Sequence, residues 1–372
     1  MAEKLKSILK IIETLAPKHY AMKWDNVGLQ IGSENDDIEK VMICLDITEE
    51  VLEEAINHDV NLIIAHHPMI FSPLKSVSKE DVKGKLVYKV IQHNINIYAA
   101  HTNVDIAPEG LNDFVANRIG LKNIEVLDII EREKLYKVVV FVPEEYEEKV
   151  ADALAQGGAG HIGNYSHCSF RSSGMGTFKP LEGTNPFIGE KGKIEKVQET
   201  RLETIVALND LNKVVSTMLQ AHPYEEVAYD IIPLENSGEK RGIGRVGDLE
   251  ASKILNEIVV DIKSIFNTKR IRVVGDLQHK IKKIAIVNGS GADYIELAKN
   301  KGCDCLITGD VKYHDAQTAL ELGIAVIDAG HFETEIFFAD LIADYLQREF
   351  KNKKMNIEIM KSHTKINPFK IL

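Results

Sequence analysis

Apolar positions recur every three to four residues at Leu5, Ile8, Leu9, Ile12 and Leu15, which predicts an opening helix with one buried face. Val41-Met-Ile-Cys-Leu45 is an unbroken apolar run and reads as a buried strand. Thr48 suits the start of a helix with Glu49 and Glu50 in its first turn. Leu62-Ile-Ile-Ala65 is the next strand, a helix is expected around 78–93, and Ile95-Asn-Ile-Tyr-Ala-Ala100 follows as a strand, with another helix after Pro108. Strands alternating with helices imply a mostly parallel sheet covered on both faces.

The rhythm changes in the middle. Val138-Val-Val-Phe-Val142 reads as a strand and 144–156 as a helix; a glycine-rich loop leads to strand-like 167–172 and a longer strand over 199–208. Asn209 is placed to cap a helix reaching about 220, and Val227-Ala-Tyr-Asp-Ile-Ile232 closes the set. Strand-helix-strand, twice over, is the ferredoxin-like pattern. From about 242 the first rhythm returns, with strands at 271–275, 282–287, 305–308 and 325–329, helices between them, and a long helix over 332–353. The expected fold is therefore a split α/β core, residues 1–128 and 242–372, interrupted by an α+β insert over 129–241.

Composition narrows the function classes. The 372 residues hold 45 lysines and arginines against 56 acids, a formal charge of −11, which argues against an extended nucleic-acid footprint. No apolar run approaches the ~20 residues that span a bilayer, and the N-terminus lacks a secretory signal pattern. Cys44, Cys168, Cys303 and Cys305 do not make a disulfide framework, so a reduced, cytoplasmic protein is expected.

Four polar clusters lie directly after apolar strands: His66-His67-Pro68, His101 to Asp105, Gly309-Asp310, and His331 to Glu335. The C-terminal ends of parallel strands open onto one edge, where ligand crevices form, so residues far apart in the chain can converge there. Neighbours on a strand point to opposite faces, so His66 and His67 serve two ions, or both turn inward where the strand ends. His331 and Glu335 are four apart and share a helix face, whereas Glu333 is about 200° round from His331. Two divalent cations with three neutral histidines and the carboxylates of Asp105 and Glu335 leave a residual charge of +2. Such ions about 3.5–4 Å apart repel by roughly 17–19 kcal/mol at an effective dielectric near 20, which a shared carboxylate or hydroxide must screen. Nitrogen and oxygen donors suit zinc, iron, manganese, cobalt or nickel without choosing among them. The plainer alternative is a structural histidine pair, with His331 and Glu335 a solvated ion pair worth a few tenths of a kcal/mol. His101, Asp310 and His314 lie near the same edge as candidate supporting groups or proton carriers.

Trp24-Asp-Asn-Val-Gly-Leu29, Ala65-His-His-Pro-Met-Ile-Phe71, Ala100-His-Thr-Asn-Val-Asp105, Thr308-Gly-Asp310 and Gly330-His-Phe-Glu-Thr-Glu335 resemble the Nif-three-like dinuclear metal-centre family, whose members are often described as GTP cyclohydrolase type 2 homologues. The resemblance covers about 260 residues, those outside the insert. It implies that His66, His67, Asp105, His331 and Glu335 are the metal ligands, and that the protein is a toroidal homohexamer with sites facing an internal cavity. It also implies hydrolytic opening of the GTP ring. The insert resembles the PII-like (CutA-like) domain of longer members, through Gly157-Gly-Ala-Gly-His-Ile-Gly-Asn164 and His222-Pro-Tyr-Glu-Glu226. The last motif is either a ligand site or a helix-ending turn.

Two dinucleotide-like glycine patterns, from Gly158 and from Gly242, lack the strand-then-helix setting that such a loop needs. Gly192-Lys193 is followed by Ile194, so no P-loop is present. The function classes left are a metal-dependent hydrolase of a small molecule or nucleotide, a non-catalytic metal-handling or regulatory protein, and a scaffold whose ions hold the fold.

Overall fold

The computed structural model describes residues 2–364 and 366–370. It divides into two compact units, one made of the described residues up to Ile130 and from Arg241 onward, the other of Glu131–Lys240. Two long strands, Lys122–Pro143 and Tyr229–Ile254, contribute to both.

In the first unit, five strands run in the order Glu358–Lys361, Lys40–Cys44, Leu62–Ala65, Asn96–Ala99 and Gly28–Ile31. The first four are parallel and the last is antiparallel. Strand alternation sorts their side chains into two cores. Val41, Ile43, Leu62 and Ile64 pack with the helix Leu5–Leu15 on one face, and Met42, Cys44, Ile63 and Ala65 pack with Val51, Leu52, Val87 and Val90 on the other. Those last four lie on the helices Glu49–Asn57 and Val82–Gln92, capped by Thr48 and Asp81, whose side chains accept from the amides of Val51 and Gly84.

A second sheet carries Arg272–Val274, Ala325–Asp328, Cys305–Gly309, Lys280–Ser290 and the end of Tyr229–Ile254, in that order. Its three central strands are parallel and both flanking ones antiparallel. Both sheets are thus mixed. The parallel expectation holds for the central strands and for the edge strand Glu358–Lys361, and fails at Gly28–Ile31, Arg272–Val274 and Tyr229–Ile254, because hydrophobic periodicity carries no information about strand direction.

Arg245 ties the two halves of this unit together. Buried to 3% exposure, it donates to both Asp113 carboxylate oxygens at 2.7 Å and to the carbonyls of Ala107, Gly242 and Gly244.

The expected long helix over 332–353 is two helices, His331–Glu335 and Phe338–Lys353, with a tightened turn at Ile336 and Phe337. A short helix not anticipated from the pattern, Thr102–Ile106, precedes Leu111–Ile119. Asn209 does not cap its helix: Leu208–Ala221 starts one residue earlier, from Ala207 in an extended conformation.

The second unit places its strands in the order Tyr229–Ile254, Lys122–Pro143, Glu195–Ala207 and Ser169–Phe178. Val138, Val140 and Val142 alternate inward against Val150 and Leu154 of the helix Glu147–Gly157 and Val214 and Met218 of Leu208–Ala221. This is the split strand-helix-strand arrangement, with a core drawn from one contiguous stretch of chain. Among the described residues no helix is long and apolar enough to cross a membrane, and the four cysteines are free.

A candidate metal centre

The polar clusters do not meet at one sheet edge. His66 and His67 end Leu62–Ala65 and His101 follows Asn96–Ala99 in the first sheet, whereas His331 follows Ala325–Asp328 in the second. The C-terminal edges of two sheets face each other, and the donors gather between them. His66 and His67 both turn inward where the strand stops. Their amides still donate to the carbonyls of Cys44 and Leu45, so the ladder continues through the pair and fixes its backbone.

Every imidazole is anchored through Nδ1 to a group that can only accept. His66 Nδ1 donates to the Ala100 carbonyl at 2.9 Å, His67 Nδ1 to Asp46 at 2.8 Å, His101 Nδ1 to Asp25 at 2.9 Å and His331 Nδ1 to Asp310 at 2.7 Å. These bonds fix one tautomer and leave the Nε2 lone pairs for the centre. His67 Nε2 and His331 Nε2 stand 3.4 Å apart. Each lies 3.0 Å from Glu335 Oε2, while Glu335 Oε1 is 3.7 Å from His66 Nε2. Asp105, on the helix Thr102–Ile106, brings Oδ2 to 4.0 Å from His66 Nε2.

The His67–His331 approach has hydrogen-bond geometry, and the approaches to the Glu335 and Asp105 carboxylates do not. His66 Nε2, Asp105 Oδ1 and Glu335 Oε2 are buried without a hydrogen-bond partner. Orphaned polar atoms of this kind cost about 1–3 kcal/mol each, more when charged. Such atoms, on or beside the imidazole donors, fit bound cations that would ligate them. His66, His67 and His101 form one group able to hold an ion, and His67, His331 and Glu335 another.

The charges are strongly coupled. Burial disfavours the His67 imidazolium, yet Asp46 and Glu335 outweigh it and lift its pKa to about 10. Glu335, against burial and with help from Asp310, lifts His331 to about 9. Burial pushes the Asp105 carboxyl up; it also opposes ionisation of Glu335, but His331, His66 and His67 hold that carboxyl well below the usual range. For Asp25, burial is outweighed by hydrogen bonds from His101 and Thr102, which bring the pKa to about 2.

Backbone geometry admits these contacts. Gly289 has φ +66 and faces Glu335 so closely that a Cβ there would stand 2.2 Å from Oε1. Asp310 itself adopts φ 56, a left-handed conformation unusual for a non-glycine residue, and in it carries the carboxylate that orients His331.

Of the other candidates, His101 sits among the donors rather than behind them, and Asp310 is the anchor of His331. His314 joins neither group: it is exposed on the helix Tyr313–Leu322 and bonded to Gln317. Glu333 turns to Asn367. Asp25 entered the sequence reading only inside the Trp24–Leu29 motif, with no role, and Asp46 not at all, although Asp46 directly follows the strand run Val41–Leu45, the same signal that marked the histidines. A cavity of about 380 Å³ opens beside His67 and His331, bounded also by Arg270, Arg272, Phe332 and Phe369.

The chain is 45% identical over 363 residues to the GTP cyclohydrolase 1 type 2 homolog of Halalkalibacterium halodurans, covering 98% of this chain and 97% of that protein. Identity to the Bacillus subtilis protein of the same name is also 45%, over 365 residues, covering 98% of each. Among solved structures, a Bacillus cereus protein related to NIF3 superposes with a TM-score of 0.94 at 44% identity, covering all of both chains. A Staphylococcus aureus protein superposes with 0.80 at 31% identity, covering 100% of this chain and 99% of that one. The family model for Duf34/NIF3 (NGG1p interacting factor 3) matches residues 3–368, which takes in both strand edges and every donor between them. This chain belongs to the Duf34/NIF3 family.

Proposed function

We propose that the protein binds two divalent metal ions per chain and uses them as a hydrolase. His66, Asp105 and Glu335 Oε1 would hold one ion, with His101 as a further donor; His67, His331 and Glu335 Oε2 would hold the other. The observation that carries this reading is the set of anchored imidazoles aimed at carboxylate atoms that have no hydrogen-bond partner. No cysteine belongs to either group, so the donors suit zinc, iron, manganese, cobalt or nickel. Paired divalent ions supply Lewis acidity and lower the pKa of water.

The chain's own residues do the rest. Glu335, whose two oxygens face different histidines, would place negative charge between the ions and so screen their mutual repulsion. Asp46 and Asp310 keep His67 and His331 in the donor tautomer. Asp25 likewise holds His101, the further donor, in the tautomer that presents Nε2. Arg270 and Arg272 line the adjoining cavity and offer guanidinium donors to the remainder of the substrate. The relatives' shared name makes hydrolytic opening of the GTP ring the first reaction to test. The assembly we propose, a homohexamer, rests on the family resemblance and is read directly by light scattering.

The test is elemental analysis of purified protein beside an assay of GTP and phosphoester hydrolysis. Two ions per chain and metal-dependent turnover are expected, with both lost in His67→Ala. Two bound ions with no turnover on any substrate would leave a metal-handling role; no bound transition metal under any loading condition would end the proposal.

A further inference from the structure

The second unit carries a cavity of about 530 Å³, within the range of small-molecule sites, and all of its lining comes from Phe141–Ala228. Three aromatic rings wall it. Phe178 and Phe187 stand with their centroids 5.9 and 6.3 Å from that of Tyr224. Phe187 is half exposed, an aromatic face offered to whatever enters.

The His222-Pro-Tyr-Glu-Glu226 motif builds this wall. His222 Nε2 donates to the Phe141 carbonyl at 3.0 Å, and its Nδ1 accepts from the Tyr224 amide at 3.1 Å, which seats the tyrosine. Tyr224 then donates its hydroxyl to Glu199 Oε1 at 3.0 Å. Glu199 is only 9% exposed, a carboxylate held at the back of the cavity. Gly176 makes room for it, since a Cβ there would stand 1.9 Å from Glu199 Oε2.

The charge around the rings is one-sided. Glu182, Glu199, Glu225 and Glu226 line the cavity against a single cation, Lys179. Ring faces carry negative quadrupoles, and with surplus carboxylates they attract an organic ammonium and repel anions. An uncharged apolar guest would gain from the rings but nothing from the acids.

We infer that this cavity is a binding site for a small organic cation, an amine or quaternary ammonium, held by Phe178, Phe187 and Tyr224 with Glu199 as counter-ion. The inference is independent of the metal centre, because no metal donor lies between residues 131 and 240.

Isothermal titration of the full-length protein with choline, and with its uncharged carbon isostere dimethylbutanol, tests it. Choline is expected to bind saturably, and the isostere at least about tenfold more weakly. Phe187→Ala and Glu199→Gln should each weaken choline by about fivefold or more while leaving the metal content unchanged. Phe187 is half exposed, so its substitution reads binding rather than folding. Equal binding of the two probes, no saturable choline binding, or an affinity untouched by both substitutions would overturn the inference.

Discussion

Asp46 and Asp310 touch no candidate ion, yet each fixes which nitrogen of its histidine carries the proton. Asp46→Asn keeps the shape and removes the charge that raises donor basicity. It should weaken metal binding by about 10–100-fold without altering the fold, read by competition with a chromophoric chelator. Protons compete at the same atoms. Without metal His67 and His331 titrate near 10 and 9, above the ordinary histidine value, so both imidazoles are protonated at neutral pH and must lose a proton to bind. Affinity should therefore rise with pH up to about 10, less steeply above about 9, and calorimetry in buffers of different ionisation enthalpy should record protons released on loading. The donor residues themselves were legible in the sequence, because each follows an apolar run that ends at a strand terminus. Their anchors were less so: Asp25 lies in a loop with no periodicity around it, and only coordinates show it reaching His101 across 76 positions.

At the scale of elements, central strands were readable, and so was the edge strand Arg272–Val274, whereas the edges of the first sheet were not. Lys40–Cys44, Leu62–Ala65, Cys305–Gly309 and Ala325–Asp328 are buried on both faces and leave continuous apolar runs. Gly28–Ile31 and Glu358–Lys361 are short, partly exposed edge strands whose polar residues mask any alternation. The break at Ile336 and Phe337 was hidden because both residues suit a continuing helix. The C-terminal strand is secured by a local device. Glu54 accepts from the Ser362 and Thr364 hydroxyls and from the amides of His363 and Thr364. Burial opposes ionisation of Glu54, but these bonds together outweigh it and lower the pKa to about 2. A depressed carboxylate stabilises fully above its unfolded value of about 4.3 and loses that contribution as pH falls through about 2. The amide resonances of His363 and Thr364 should shift toward random-coil positions over that window, and Glu54→Gln should show the shifted positions already at neutral pH.

Across the whole molecule, Arg245 decides whether the two halves of the first unit hold together. Its five donor contacts join 107–113 to 242–245. Arg245→Met would leave Asp113 without its bidentate partner and orphan three carbonyls, so unfolding free energy should fall by about 3–5 kcal/mol in urea titration. Nothing in the pattern of the sequence marked this residue, since a lone arginine in a glycine-rich stretch carries no periodic signal.

The spacing of the donors along the chain has a temporal consequence. His67 and His331 are 264 positions apart, whereas the buried core of the second unit lies within Val138–Ala221. During synthesis that inner core is complete while the ribosome still holds everything that follows it. His66 and His67 then wait, already translated, for His331 and Glu335, which arrive together near the end. Capture of the proposed ions would thus be a closing event of biosynthesis, and a chain cut short between Asp105 and His331 keeps His66 and His67 and lacks both later donors.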